Sequence, residues 1–243
     1  MISIALAAGY ATRMYPLTEN FPKALLKVAG KTILDRLLID LDQMPQIEKH
    51  VVVSNHKYID HFREWAKGTA LKKPVEVLDD YTTSNEDRLG AVMDILVAIE
   101  PPRPLDDLFI LAADNLLDFK LSALAAGFDS DPRSRIFCMP ETDVNALRRS
   151  GVLTLAPDGR ALKMEEKPQE PKGTHIVPPF YLYNKADARK IYDAVKSGIY
   201  TDAPGSLAQW MIEYSDVLAI PMPGSRIDVG SLEAYERIKD SGM

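Results

Sequence analysis

The stretch Ile2-Ser3-Ile4-Ala5-Leu6-Ala7-Ala8-Gly9-Tyr10-Ala11-Thr12-Arg13-Met14 decides how this chain is read. Ile2–Ala7 is a short apolar run with the character of a buried strand, and it empties into a tight loop of small residues. Small side chains let backbone N–H groups approach a polyphosphate. Arg13, and Lys23 in Pro22-Lys23 shortly after, would set two positive charges beside it. The same residues can equally form a turn after an edge strand, with both cations in solvent. Two familiar phosphate motifs are absent. The loop lacks G-x-x-x-x-G-K-[ST] and so is no Walker loop, and it lacks the G-x-G-x-x-G of dinucleotide-binding oxidoreductases.

Beyond the loop, β-rich runs alternate with helical periodicity. Ile33, Leu34, Leu37, Leu38 and Leu41 repeat at helical spacing, His50–Ser54 and Val75–Leu78 read as strands, and amphipathic Tyr58–Ala66 lies between those two. A helix is expected over Leu89–Ile99, ending at Pro101-Pro102, and Leu108–Ala113 is a strand that stops at Asp114-Asn115. This alternation predicts an α/β fold with a Rossmann-like, mixed but mostly parallel sheet flanked by helices. From Arg135 the strands crowd together, at Gly151–Leu155, Ala161–Glu165 and Ile176–Tyr183, which suggests an antiparallel or mixed extension. Asp158-Gly159 is a hairpin turn signal. Helices return at Lys185–Val195, Leu207–Tyr214 and Ser231–Lys239. No linker divides the chain, so residues 1–243 are expected to form a single domain, with a nucleotide-binding half of about 1–115 and an acceptor-binding half of about 116–243.

Composition narrows the function classes. Acidic residues outnumber basic ones, 35 to 29, for a formal charge of -6, so a general basic field for nucleic acid is absent and an anionic ligand needs locally clustered cations. The single Cys138 cannot form an internal disulfide and is read as a core residue. With no leader pattern and no run of ~20 apolar residues, a cytoplasmic location away from membranes is expected. The four histidines show no shared metal or catalytic spacing and are read as structural or surface residues. A homodimer is expected because two-fold assemblies are the commonest.

Taken with its spacing, LAAGYATRMYPLTENFPKALLKV closely resembles the signature of the sugar-1-phosphate nucleotidylyltransferases, L-A-A-G-x-G-T-R-x-x-P-L-T-x-x-x-P-K, with Arg13, Pro16, Leu17, Thr18, Pro22 and Lys23 in register. Ala11 stands where that family has its second glycine. Four later segments extend the resemblance along nearly the whole chain: Leu89-Gly90-Ala91, Ala113-Asp114-Asn115 for G-D-N, Glu166-Lys167-Pro168 for E-K-P, and Arg226-Ile227-Asp228-Val229-Gly230 for W-x-D-x-G.

The resemblance implies the nucleotide-diphospho-sugar transferase type of fold and transfer of a nucleotidyl group from a nucleoside triphosphate to a sugar 1-phosphate, with release of pyrophosphate. Leu6, Ala7, Ala8, Gly9, Tyr10, Ala11, Thr12, Arg13 and Lys23 would hold the nucleotide, with Thr83, Asn85, Leu89 and Gly90 on the base side. Asp114 and Asp228 would bind Mg²⁺, although a strand-end or loop aspartate is the plainer reading of each. Asn115, Gly151, Glu166, Lys167 and Pro179 would meet the phosphorylated acceptor, with Lys167 gripping its phosphate. The catalytic set would be Arg13, Lys23, Asp114 and Lys167. Two alternatives stay open: a cytidylyltransferase for a small alcohol phosphate such as phosphocholine, and a catalytically silent regulator that binds a nucleotide sugar. The expected geometry is that Asp114 and Asp228 share one cleft, with Lys23 and Arg13 at its triphosphate side.

Overall fold

The computed structural model describes residues 1–101, 103, 105–198 and 203–240. Pro102, half of the expected Pro101-Pro102 helix stop, lies outside them. In chain order the strands are β1 (Ile2–Leu6), β2 (Lys27–Val28), β3 (Lys31–Thr32), β4 (Lys49–Ser54), β5 (Val75–Asp79), β6 (Leu108–Ala112), β7 (Asn115–Leu117), β8 (Arg135–Pro140), β9 (Gly151–Leu155), β10 (Ala161–Glu166), β11 (His175–Val177), β12 (Phe180–Tyr183), β13 (Leu218–Pro221) and β14 (Arg226–Asp228). The helices are α1 (Ile33–Leu41), α2 (Ile59–Gly68), α3 (Ala91–Ile99), α4 (Val144–Leu147), α5 (Lys185–Lys196), α6 (Pro204–Tyr214) and α7 (Leu232–Ile238). The class is the expected one, a mixed α/β fold with a large Rossmann-like sheet.

The chain forms two compact units that interleave in sequence. The first comprises Met1–Leu89, Leu111–Ala123 and Gly224–Met243, and the second Gly90–Ile110 and Leu124–Pro223.

In the first unit β1, β4 and β5 run parallel, Ile4 opposite Val51 and Val52 opposite Val77. Ile4, Ala5, Val51, Val52 and Val53 are fully buried. Strands buried on both faces read as continuous apolar runs, which is why these stand out in the sequence. Helix α1 buries Ile33, Leu34, Leu37, Leu38 and Leu41, one face at helical spacing. Its N-cap Thr32 accepts the N–H of Asp35. Strands β2 and β3 turn through Ala29 (φ 45°) and Gly30 (φ 84°). The second turn of chain that completes this unit comes from the far end of the sequence: β14 pairs antiparallel with β7, setting Asp228 opposite Asn115.

The second unit is predominantly antiparallel. β10 pairs with β9, β9 with β11, β11 with β8 and β8 with β12, while β13 alone joins β8 in parallel. The expected strand Ile176–Tyr183 is two strands, because Pro178-Pro179 interrupts it. Proline has no N–H for a ladder, and the chain folds back so that Phe180 N–H reaches Pro178 C=O at 2.7 Å. The helix expected from Leu89 starts two residues later, since Gly90 at φ 87° cannot be its first turn. Cys138 is fully buried in β8, and burial pushes its thiol up to about 11.

Candidate functional site

The loop after β1 is held from three sides. Ala7 N–H donates to Val53 C=O at 2.9 Å, and Asn55 Nδ2 donates to Ala8 C=O at 2.8 Å. At the other end, Thr18 Oγ1 donates to Ala11 C=O at 2.9 Å, and Tyr58 O–H donates to Thr18 C=O at 2.6 Å. Asn55, Tyr58 and Thr18 are buried, so the anchors are rigid. Asn55 and Tyr58 went unrecognised in the sequence. They are two ordinary polar residues after a strand, and nothing local says that Asn55 reaches back 47 residues to Ala8 or Tyr58 40 residues to Thr18.

Ala11 itself adopts φ 48°, ψ 40°. The position therefore takes the left-handed backbone that glycine, expected here from the resemblance, adopts without strain, and alanine carries the strain. Leu6 is half-buried, Ala7, Ala8 and Tyr10 are buried, and Gly9 is exposed. A Cβ on Gly9 would stand in open space, so protein packing does not demand a glycine there. Thr12 and Arg13 are exposed on the single turn Thr12–Met14 that follows.

Lys23 begins a second such turn, Lys23–Leu25, after Pro22. Its Nζ lies 2.7 Å from Asp114 Oδ2, with side-chain exposures of 15% and 32%. The other carboxylate oxygen of Asp114 accepts from Asn115 Nδ2 at 2.7 Å, and Asn115 Oδ1 accepts from Arg226 at 2.6 Å. Asn115, expected on the acceptor side, is buried and serves Asp114 in this structure. Arg226, which the sequence reading quoted only as part of a motif, orients Asn115.

Asp228 is brought to Asp114 by the pairing of β14 with β7, reinforced by Val229 N–H donating to Asp114 C=O at 2.9 Å. Its carboxyl is raised above the ordinary value, first because surrounding protein withholds hydration and next because Asp114 is a nearby like charge; Lys23, Arg226 and Arg13 oppose both. The side chain does reach solvent, so the desolvation is that of a recess and not of a sealed core. Gly230 stands close behind: a Cβ there would lie 3.2 Å from Asp228 Oδ1 and 3.7 Å from the Arg13 guanidinium. Two carboxylates and the cations Arg13, Lys23 and Arg226 are thus gathered in one place.

Such a donor set is suited to a divalent cation. Both carboxylates are hard oxygen ligands, and Mg²⁺ is commonly held by one or two carboxylates together with phosphates and water. Among the described residues there is no group of three or more His, Cys, Asp or Glu placed to hold a metal, and phosphate oxygens and water would fill the positions that the two carboxylates leave.

In the segment expected to face the base, Asp87 organises a turn. Its carboxylate accepts Thr83 N–H at 3.1 Å and Ser84 N–H at 2.8 Å, together with both hydroxyls. Those donors hold its carboxyl down to about 2. The Thr83 hydroxyl is accordingly engaged within the turn, and Asn85 contributes its carbonyl to Arg88 at 3.1 Å. Leu89 and Gly90 are half-buried.

In the second unit, Glu166 ends β10 opposite Gly151 in β9. Burial raises its carboxyl, and the charge of Lys167 partly opposes the rise, with Lys167 Nζ 3.6 Å from Glu166 Oε1. Lys167 has a left-handed backbone, φ 48°, its N–H donates to Ser150 C=O at 3.0 Å, and its side chain is largely exposed. Gly205, in the first turn of α6, comes so close that a Cβ would overlap Glu166 Oε2 at 2.1 Å. Gly205 was missed in the sequence, where the helix was expected only from Leu207, three residues after α6 begins. Pro179 is half-buried at the break between β11 and β12. No helix among the described residues is long and apolar enough to cross a membrane.

The chain resembles known proteins along most of its length. The chain is 28% identical over 192 residues to the UTP–glucose-1-phosphate uridylyltransferase AglF of Haloferax volcanii, covering 76% of this chain and 73% of that one. It is 27% identical over 239 residues to a Sulfolobus acidocaldarius protein assigned as a mannose-1-phosphate guanyltransferase, covering 97% of this chain but 61% of that one. Among solved structures, a UDP-glucose pyrophosphorylase complexed with UDP-glucose shares the fold with a TM-score of 0.79 at 17% identity, over 98% of this chain and 96% of that one. The family model described as nucleotidyl transferase matches residues 2–241, and the chain belongs to that family.

Proposed function

We propose that this protein transfers a nucleoside monophosphate from a nucleoside triphosphate to a sugar 1-phosphate, releasing pyrophosphate and forming a nucleoside diphosphate sugar. The observation that carries the reading is the Lys23–Asp114 pair beside Asp228 and Arg13, two carboxylates and two cations in one recess next to the loop after β1. The relatives named above act on glucose 1-phosphate and mannose 1-phosphate by their names. No feature of the site favours a silent regulator or an alcohol-phosphate enzyme.

The chemistry asks little covalent help of the protein. A phosphate monoester has its second pKa at about 6, so the acceptor is already a dianion at neutral pH and needs no general base. The obstacle is repulsion between anions, together with alignment of attack at the α-phosphorus opposite the leaving pyrophosphate. Arg13 and Lys23 would bind the triphosphate and stabilise departing charge, and Lys167 would bind the acceptor phosphate, with Glu166 accepting from an acceptor hydroxyl. Asp114 and Asp228 would hold Mg²⁺, oriented by Asn115 and Arg226. When bound, the ion neutralises phosphate charge. We further read the protein as cytoplasmic and as a homodimer; sedimentation of the purified chain would check the dimer, and cell fractionation the location.

The test is a matrix of nucleoside triphosphates against sugar 1-phosphates and alcohol phosphates, read as pyrophosphate release with and without Mg²⁺. Release restricted to one or a few sugar 1-phosphates is expected. Release with phosphocholine alone, or with no acceptor at all, would overturn the assignment.

A further inference from the structure

Tyr10 lies at the apex of the phosphate-side loop, but its side chain turns inward and is 3% exposed. Its hydroxyl is 3.0 Å from Thr82 Oγ1. That Thr82 hydroxyl is 2.8 Å from Asp80 Oδ1, which also accepts Thr82 N–H at 2.7 Å. A threonine hydroxyl has one proton to donate, and the carboxylate oxygen, already accepting from the amide, takes it. Tyr10 must then be the donor to Thr82, so the chain runs in one direction from Tyr10 to Thr82 to Asp80.

The far end of this chain is fixed. Asp80 N–H donates to Ser54 C=O and His56 N–H to Thr82 C=O, each at 2.9 Å, which ties the segment to the end of β4. The near end matters because the loop's other anchors grip Ala8 and Ala11, on either side of Gly9-Tyr10. The Tyr10 side chain holds the stretch between them, and it reaches 72 residues along the chain to Thr82, the residue just before the turn that Asp87 organises.

We propose that Tyr10 is a positioning residue. Through Thr82 and Asp80 it sets the loop at residues 8–11 against the turn at residues 80–87, so that the phosphate and base ends of one nucleotide are met in register. This rests on the nucleotide-binding reading above. A link between two parts of a site helps only a ligand that touches both, so a nucleoside triphosphate should need the link and inorganic tripolyphosphate should not.

The experiment is calorimetric titration of the full chain with tripolyphosphate and with the nucleoside triphosphate most active in the matrix, for Tyr10→Phe, Thr82→Val, Thr82→Ser and the Tyr10→Phe/Thr82→Val double variant. A neutral hydrogen bond lost in this way should weaken nucleotide binding roughly 3- to 10-fold in the first two variants. The double variant should be no weaker than either single one, Thr82→Ser should bind like wild type, and tripolyphosphate affinity should hold throughout. Unchanged nucleotide affinity in Tyr10→Phe, additive losses, or equal loss of tripolyphosphate affinity would each overturn the proposal; retained tripolyphosphate binding also shows that a variant is folded. A wild type that binds tripolyphosphate but no nucleoside triphosphate would refute the nucleotide reading itself, an outcome distinct from failure of the Tyr10 variants.

Discussion

Lys23 Nζ and Asp114 Oδ2 stand 2.7 Å apart, and the lysine closes one side of a carboxylate whose other oxygen is held by Asn115. The pair joins residues 91 positions apart. Beside it stands a second carboxylate, Asp228, whose charge Lys23 also partly offsets.

Lys23→Ala should separate catalysis from stability. The pair is partly exposed, so its loss should cost about 1 kcal/mol of stability, whereas loss of a cation aimed at developing charge should lower turnover at least ~100-fold. Urea denaturation and steady-state kinetics measure the two. Near-normal turnover would remove Lys23 from the triphosphate site.

Asp228→Asn removes a like charge from beside Asp114 without changing shape. Stability should stay at or above that of wild type, while wild type should gain melting temperature with Mg²⁺ and the variant should not, and turnover should fall ~100-fold. A variant that still gained stability from Mg²⁺ alone would show that Asp228 is not needed to hold the ion.

Ala11→Gly should stabilise the fold. A left-handed alanine costs roughly 1–2 kcal/mol, and the added flexibility of glycine in the unfolded chain returns about 0.4–1 of that. A gain of about 1 kcal/mol in denaturant unfolding is expected, with Ala11→Val destabilising. If Ala11→Gly were neutral or destabilising, Ala11 would not be strained.

Lys167→Ala should raise the acceptor KM by about 10-fold or more through loss of a charge-assisted contact, leaving triphosphate affinity unchanged. Product inhibition and calorimetry would resolve the two substrates. Equal loss of triphosphate affinity would contradict the assignment of this lysine to the acceptor.

Acid should weaken the first unit through His50. The ring is fully buried, with Nδ1 2.6 Å from Ser3 Oγ and Nε2 3.3 Å from Asp42 Oδ1. Burial holds its pKa below the usual 6.5, opposed by Asp42 and assisted by Lys73. The unfolded chain therefore binds the proton first. Stability due to neutral His50 is complete above about 6.5 and is lost as pH falls from there through the folded value. Burial raises Asp42, but donors at Lys72 and Lys73 and the contact with His50 outweigh it and lower its pKa, so a second loss follows below about 3.8. Urea midpoints taken from pH 8 down to pH 5 should fall below about 6.5 in wild type and flatten in His50→Gln. A flat wild-type profile would mean that this histidine does not titrate on unfolding.

The sequence by itself determined the periodic elements and singled out the loop after β1 by its motif. Ile2–Leu6, Val51–Val53 and the α1 face carry their burial in their own spacing, and Arg13, Lys23, Asp114 and Asp228 each sit in a motif of fixed local form. Where local rules were overridden, as at Pro178-Pro179 and Gly90, the cause was still local, a missing N–H and a positive φ.

Only tertiary structure decided which of these residues meet. The pairing of β7 with β14 brings Asp228 to Asp114, Arg226 reaches Asn115 across 111 positions, and Asn55, Thr18 and Thr82 hold the loop from distant segments. Hydrogen bonds of this kind depend on where strands lie in a sheet, and side-chain spacing along one strand carries no information about its neighbour's register. The left-handed Ala11 shows both halves at once: the missing glycine was visible in the sequence, but that the backbone needs φ 48° there is set by Thr18, Tyr58 and Asn55 folding around it.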